Sequence, residues 1–133
     1  MLKVRTLTVQ IARPVATIYE FLVDPSNLPR WTMVEHGVPQ PDMGDHVWSF
    51  DGPRGRVLAQ FTPPNAYYVL DYTVYQNGQT LQAASVRLIP NGAGSVLTHT
   101  SMQQETVSDL AFASEAEWML SDLMVLKSLM ETT

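Results

Sequence analysis

Five strand-like runs follow one another between residues 47 and 104, joined by connections too short to be anything but turns. Val47–Phe50, Gly55–Phe61, Ala66–Tyr75, Thr80–Ile89 and Ser95–Gln104 are rich in β-branched and aromatic residues, which suit a pleated surface. Between them stand the turn formers Gly52-Pro53, Pro63-Pro64-Asn65, Gln76-Asn77-Gly78 and Pro90-Asn91-Gly92. Asn77-Gly78 is the strongest hairpin signal, because the favoured two-residue turn needs positive φ at both positions. Parallel neighbours would need crossovers of a dozen or more residues. The spacing therefore predicts an antiparallel meander.

A sheet with one apolar face needs a cover. The spacing predicts a helix from Ser108 to about Met130, with Ser108 as N-cap and Asp109 in the first turn. Phe112, Ala116, Met119, Leu120, Leu123, Leu126 and Met130 form its apolar stripe, while Glu115, Asp122 and Glu131 lie off it. At ~1.5 Å per residue this helix spans roughly 35 Å, enough to cross a sheet. At the other end of the chain, Leu2–Ile11 reads as a strand. Pro14 then fits the first turn of a helix whose apolar face is Val15, Ile18, Tyr19 and Leu22. Asp24-Pro25 ends that helix, and Asp24 or Ser26 caps a second short one reaching about Trp31. The order is α+β, with the early helices at one end of the sheet and the long helix across its concave side.

At 133 residues the chain is expected to be one domain, 1–133. Its net charge of -5 and eight scattered Lys and Arg residues argue against nucleic acid or an anionic membrane as partner. It has no cysteine, hence no disulfide, thiolate metal site or thiol nucleophile. MLKVRTLTVQ lacks the apolar run of a signal peptide, and no later run approaches about 18 apolar residues. The expectation is a cytoplasmic protein without membrane insertion. No nucleotide, nucleophile-elbow or kinase motif is present, and no cofactor is implied.

The junction Ile11-Ala12-Arg13-Pro14-Val15 and the run Asp24-Pro25-Ser26-Asn27-Leu28-Pro29-Arg30-Trp31 carry a resemblance, joined by Pro63-Pro64, the Pro90–Gly94 hairpin and the C-terminal helix. The chain resembles the START-like or Bet v 1-like superfamily, also called SRPBCC or polyketide cyclase/dehydrase-like, over nearly its full length. The resemblance implies a helix-grip fold: a curved antiparallel sheet wrapped around the long helix, with an interior cavity for a hydrophobic or aromatic ligand. It implies no shared catalytic motif.

Candidate cavity residues follow from strand parity and helix periodicity. From the strands they are Trp48, Phe50, Tyr68, Tyr72 and Leu97; from the helix, Phe112, Ala116, Met119, Leu120 and Leu123. The strand read at Ala66–Tyr75 has two faces. Tyr68, Leu70, Tyr72 and Val74 share the more apolar one, and Asp71 lies on the other with Tyr67, Val69, Thr73 and Tyr75. The family's usual hydrophobic positions align with Leu97, His99 and Ser101, which would turn His99 inward, whereas Val96 and Met102 favour the opposite parity. An inward His99 beside Asp71 would form a catalytic acid–base pair; the bland alternative is a hydrogen-bonded core histidine and a solvated carboxylate. His36 and His46 fall in the Pro- and Gly-rich stretch VEHGVPQPDMGDH without metal-motif spacing, so a solvated loop and no metal are expected.

Three function classes follow. The first is a carrier that binds a small hydrophobic ligand, lipid- or polyketide-like. The second is a polyketide cyclase, aromatase or dehydratase using His99 with Asp71 or Tyr72. The third is a protein–protein adaptor, which nothing in the sequence singles out. A homodimer is compatible with the size.

Overall fold

The computed structural model describes all residues 1–133. Its strands are β1 (Val4–Ile11), β2 (Glu35–Pro39), β3 (Val47–Gly52), β4 (Gly55–Phe61), β5 (Tyr72–Gln76), β6 (Gln79–Asn91) and β7 (Gly94–Met102). The helices are α1 (Val15–Leu22) and α2 (Asp109–Glu131), with 3₁₀ turns at Pro25–Arg30 and Pro41–Met43. All seven strands form one antiparallel sheet in the order β1-β7-β6-β5-β4-β3-β2. This is the expected helix-grip α+β architecture, with short helices after the first strand and a long helix gripped by the curved sheet. No helix is long and apolar enough to cross a membrane.

Local chemistry explains the ends. Ser108 Oγ accepts from the Ala111 amide at 3.1 Å and caps α2. Asp24 accepts from the Ser26 amide at 3.0 Å and starts the first 3₁₀ turn. At its start α2 is tied to the sheet by Lys3 and Gln103, both donating to Asp109. At its end Glu131 accepts from the Ala12 amide at 2.7 Å and from Lys127, whose ammonium also reaches the Gln10 carbonyl. These ties lay the helix along β1, at one side of the sheet.

The closed core sits there. Val9, Ile11, Ile18, Ala84, Val86, Leu88, Leu97, Leu123, Leu126 and Met130 form one buried cluster from β1, α1, β6, β7 and the second half of α2. Phe112, Phe50 and Ala59 are buried outside that cluster, towards the β3–β4 side and the first half of α2.

Two segments differ from expectation. Glu35–Pro39, read as a solvated loop, is an edge strand paired with β3. Gly37 makes this possible: a Cβ there would stand 2.7 Å from the Phe50 ring. Conversely, Ala66–Asp71, read as strand, is irregular apart from one bridge between Val69 and Arg87. The Asn65 side chain organises it, accepting from the amides of Tyr67 and Val69 and donating to the carbonyls of Pro63 and Val69. Those bonds compete with a sheet ladder, and Tyr68 adopts φ 57° within the segment.

Candidate functional site

Cross-strand partners share a face of a sheet, so the register assigns the inner surface. Phe61 pairs with Tyr72, Tyr72 with Ala84, and Val86 with His99, and the buried Val86 and Leu97 fix that face as the concave one. An aromatic series runs along it. Trp48 stacks on Phe50 (6.2 Å between centroids), Phe50 meets Phe61 edge-on (6.3 Å), Phe61 lies 6.4 Å from Tyr72, and Tyr72 lies 5.9 Å from His99. His99 thus points inward, as the alignment with Leu97 and Ser101 suggested.

Tyr72 Oη and His99 Nε2 share a hydrogen bond of 2.8 Å. His99 is only 3% exposed, and its Nδ1 has no partner of hydrogen-bonding geometry, approached only by the residue's own backbone. Burial holds the imidazole down at about 4, so it is neutral near pH 7. Burial pushes the Tyr72 phenol well above the usual tyrosine range, and the nearby Asp122 and Glu115 carboxylates push the same way. Gln82 hydrogen-bonds the phenol and opposes the shift, the direction expected of a donor to the Tyr72 oxygen. With Gln82 donating, the Tyr72 proton points at His99 Nε2, which places the imidazole proton on Nδ1.

Glu115 and Asp122 are the interior residues that the sequence did not reveal. Seven residues apart, they occupy one flank of α2 beside the Met119 stripe, half-buried and turned towards β5. Burial raises the Asp122 carboxyl to about 6. It also raises Glu115, with the Arg54 guanidinium in the β3–β4 turn offsetting part of the effect. The available signal was their heptad spacing at the edge of an apolar stripe, which an exposed acidic pair shares equally.

The other candidates separate. Asp71 is not beside His99: it faces outward, where it accepts from the Val86 amide and pairs with Arg87. The pairing His99–Asp71 is therefore corrected to His99–Tyr72. Leu97 and Leu123, each 1% exposed, belong to the closed core. Tyr68 packs edge-on against Tyr19 of α1 at 5.4 Å. Phe112 is buried beneath the Arg5 guanidinium, 5.5 Å from its ring centroid. Ala116 and Met119 are half-buried on the inner side of α2. Leu120 is 45% exposed and lies beyond Ala116, off the inner face, so its cavity assignment is corrected too. His36 pairs with Asp51 at 2.8 Å.

A separate concavity of about 450 Å³ crosses the outer face, lined by Gln60, Thr73, Ala83 and Met102 among others. These residues alternate with the inward ones, so the sheet itself separates this groove from His99.

No protein-family model and no curated protein sequence matches the chain. Solved structures do. An uncharacterised protein from Bacillus thuringiensis superposes with a TM-score of 0.79 at 13% identity, covering 96% of this chain and 98% of its own. The protein XoxI from Bacillus cereus gives 0.79 at 11%, covering 97% and 96%. Ara h 8.0201 gives 0.71 at 15%, covering 98% and 100%. At such identities the likeness establishes the fold. The chain has the Bet v 1-like, helix-grip fold over its whole length.

Proposed function

We propose that this protein binds a small, largely apolar or aromatic molecule, lipid- or polyketide-like in character, between the concave face of the sheet and the first half of α2. The observation that carries this reading is the split interior. The Leu123–Met130 half of α2 is sealed into the closed core, whereas the Phe112–Asp122 half stands opposite an aromatic wall that the core does not reach. Apolar walls with a few convergent polar groups are the usual make-up of a ligand pocket. At ~25 cal/mol per Å² of apolar surface buried, contact with Trp48, Phe61 and Met119 supplies affinity, and the Tyr72–His99 pair orients the ligand.

A second reading, a polyketide cyclase, aromatase or dehydratase, is favoured by one observation: a neutral, buried imidazole bonded to a phenol with a raised carboxyl near by. Such a set can accept and return a proton. Solvent extraction followed by native and denaturing mass spectrometry of the purified protein tests the first reading. A stoichiometric small molecule supports binding, and His99→Ala then separates the two. Turnover lost with binding retained supports catalysis; binding with no turnover in the unaltered protein leaves the carrier.

A further inference from the structure

The interior's polar groups are unbalanced in sign. Glu115 and Asp122 lie near Tyr72, and neither forms a salt bridge with any of the eight Lys and Arg residues. The basic groups are engaged elsewhere: Arg87 with Asp71, Lys127 with Glu131, Lys3 with Asp109. Arg54 acts on Glu115 only from a distance. The Tyr72 proton is committed to His99, so the phenol presents a lone pair rather than a donor. A half-buried carboxylate without a cation is costly unless something pairs with it. His99, almost wholly buried with Nδ1 unpaired, is a second polar group in the same interior that lacks a partner. The remaining wall of Trp48, Phe61 and Tyr72 offers ring faces, which attract cations.

We infer that the ligand of this cavity carries a basic nitrogen, an ammonium on an apolar or aromatic body, with Asp122 and Glu115 as its counter-charges and the ring faces of Tyr72 and Phe61 against its body. This rests on the proposed binding reading and deepens it. Fatty acids and other carboxylates are excluded by the same charge. Both acids sit on α2 and the aromatic rings on the sheet, so an ammonium placed between them joins the two layers.

The test is titration calorimetry of the purified protein at about pH 7.5 with three probes of matched shape: naphthylethylamine, naphthylethanol and naphthylacetate. The amine is expected to bind at least about tenfold more tightly than the alcohol, with the carboxylate weakest, a margin typical of a charge-assisted contact. In Asp122→Asn and Glu115→Gln, both near-isosteric and checked for fold by circular dichroism, the preference should shrink. Glu117→Gln, on the exposed side of α2, should keep it. Alcohol or carboxylate binding as tight as the amine would overturn the charge preference and leave the apolar-ligand reading standing. An amine preference surviving in both inner variants would overturn the assignment to these residues, tracing it to the overall charge of -5. No saturable binding of any probe would overturn this inference and the binding reading together.

Discussion

The Tyr72–His99 bond concentrates several consequences in two side chains. Tyr72→Phe leaves both ring nitrogens of a buried histidine unpaired, which should cost about 1–3 kcal/mol. Urea unfolding at neutral pH checks it, and an unchanged midpoint would mean the bond is not made in solution. Acid titration gives a sharper prediction because two interior groups oppose each other. His99 stands at about 4 when folded against an ordinary 6.5, so its contribution is full above 6.5 and is lost as pH falls towards 4. Asp122 stands at about 6 against 3.8, so its contribution is full below 3.8 and is lost as pH rises through 6. Between these limits the two slopes oppose one another. Asp122→Asn should therefore steepen the loss of stability on acidification, and His99→Gln should flatten or reverse it. Urea midpoints at about pH 7 and pH 4 for the three proteins decide the matter. Parallel behaviour of all three would show that neither group titrates as its burial requires.

Among the elements, α2 has two inner halves of different use and an outer side. Leu123→Ala removes a fully enclosed side chain and should cost about 2–5 kcal/mol, whereas Leu120→Ala, three residues earlier on an accessible flank, should stay within about 0.5 kcal/mol. Thermal or urea unfolding of the pair tests the division; equal losses would put Leu120 back inside. The segment before β5 depends on one side chain. Asn65→Ala deletes four side-chain bonds to backbone and should speed hydrogen exchange at the Tyr67 and Val69 amides while the β6 and β7 amides keep their protection. Exchange raised equally throughout the sheet would mean this loop is not a separate unit. Its irregularity explains why strand reasoning overran here: the Tyr67–Tyr75 composition suits a strand, yet Asn65 satisfies those backbone groups first. β2 was missed for the converse reason. Its residues are mostly exposed, so no apolar alternation marks them, and pairing came from the free edge of β3.

For the molecule as a whole, the arrangement is a sheet closed on one side and open to an occupant on the other. α2 follows β1, tied at both ends by polar contacts, which leaves the β3–β5 half of the concave surface to aromatic rings and two acids. The short turns, the capped C-terminal helix and the proline-started α1 were legible in the chain because each rests on interactions within a few residues. So was the inward direction of His99, through its alternation with Leu97. The sequence by itself determined an antiparallel α+β fold with a long covering helix, since turn length and helical periodicity are local properties. Only the tertiary structure decided that Asp71 belongs to Arg87 outside, that Leu120 is off the inner face, and that Glu115 and Asp122 stand near Tyr72. Each of those facts depends on how far α2 is rotated about its axis or on which strand lies beside which. Such long-range geometry is set by the packing of the whole core, and no run of neighbouring residues records it.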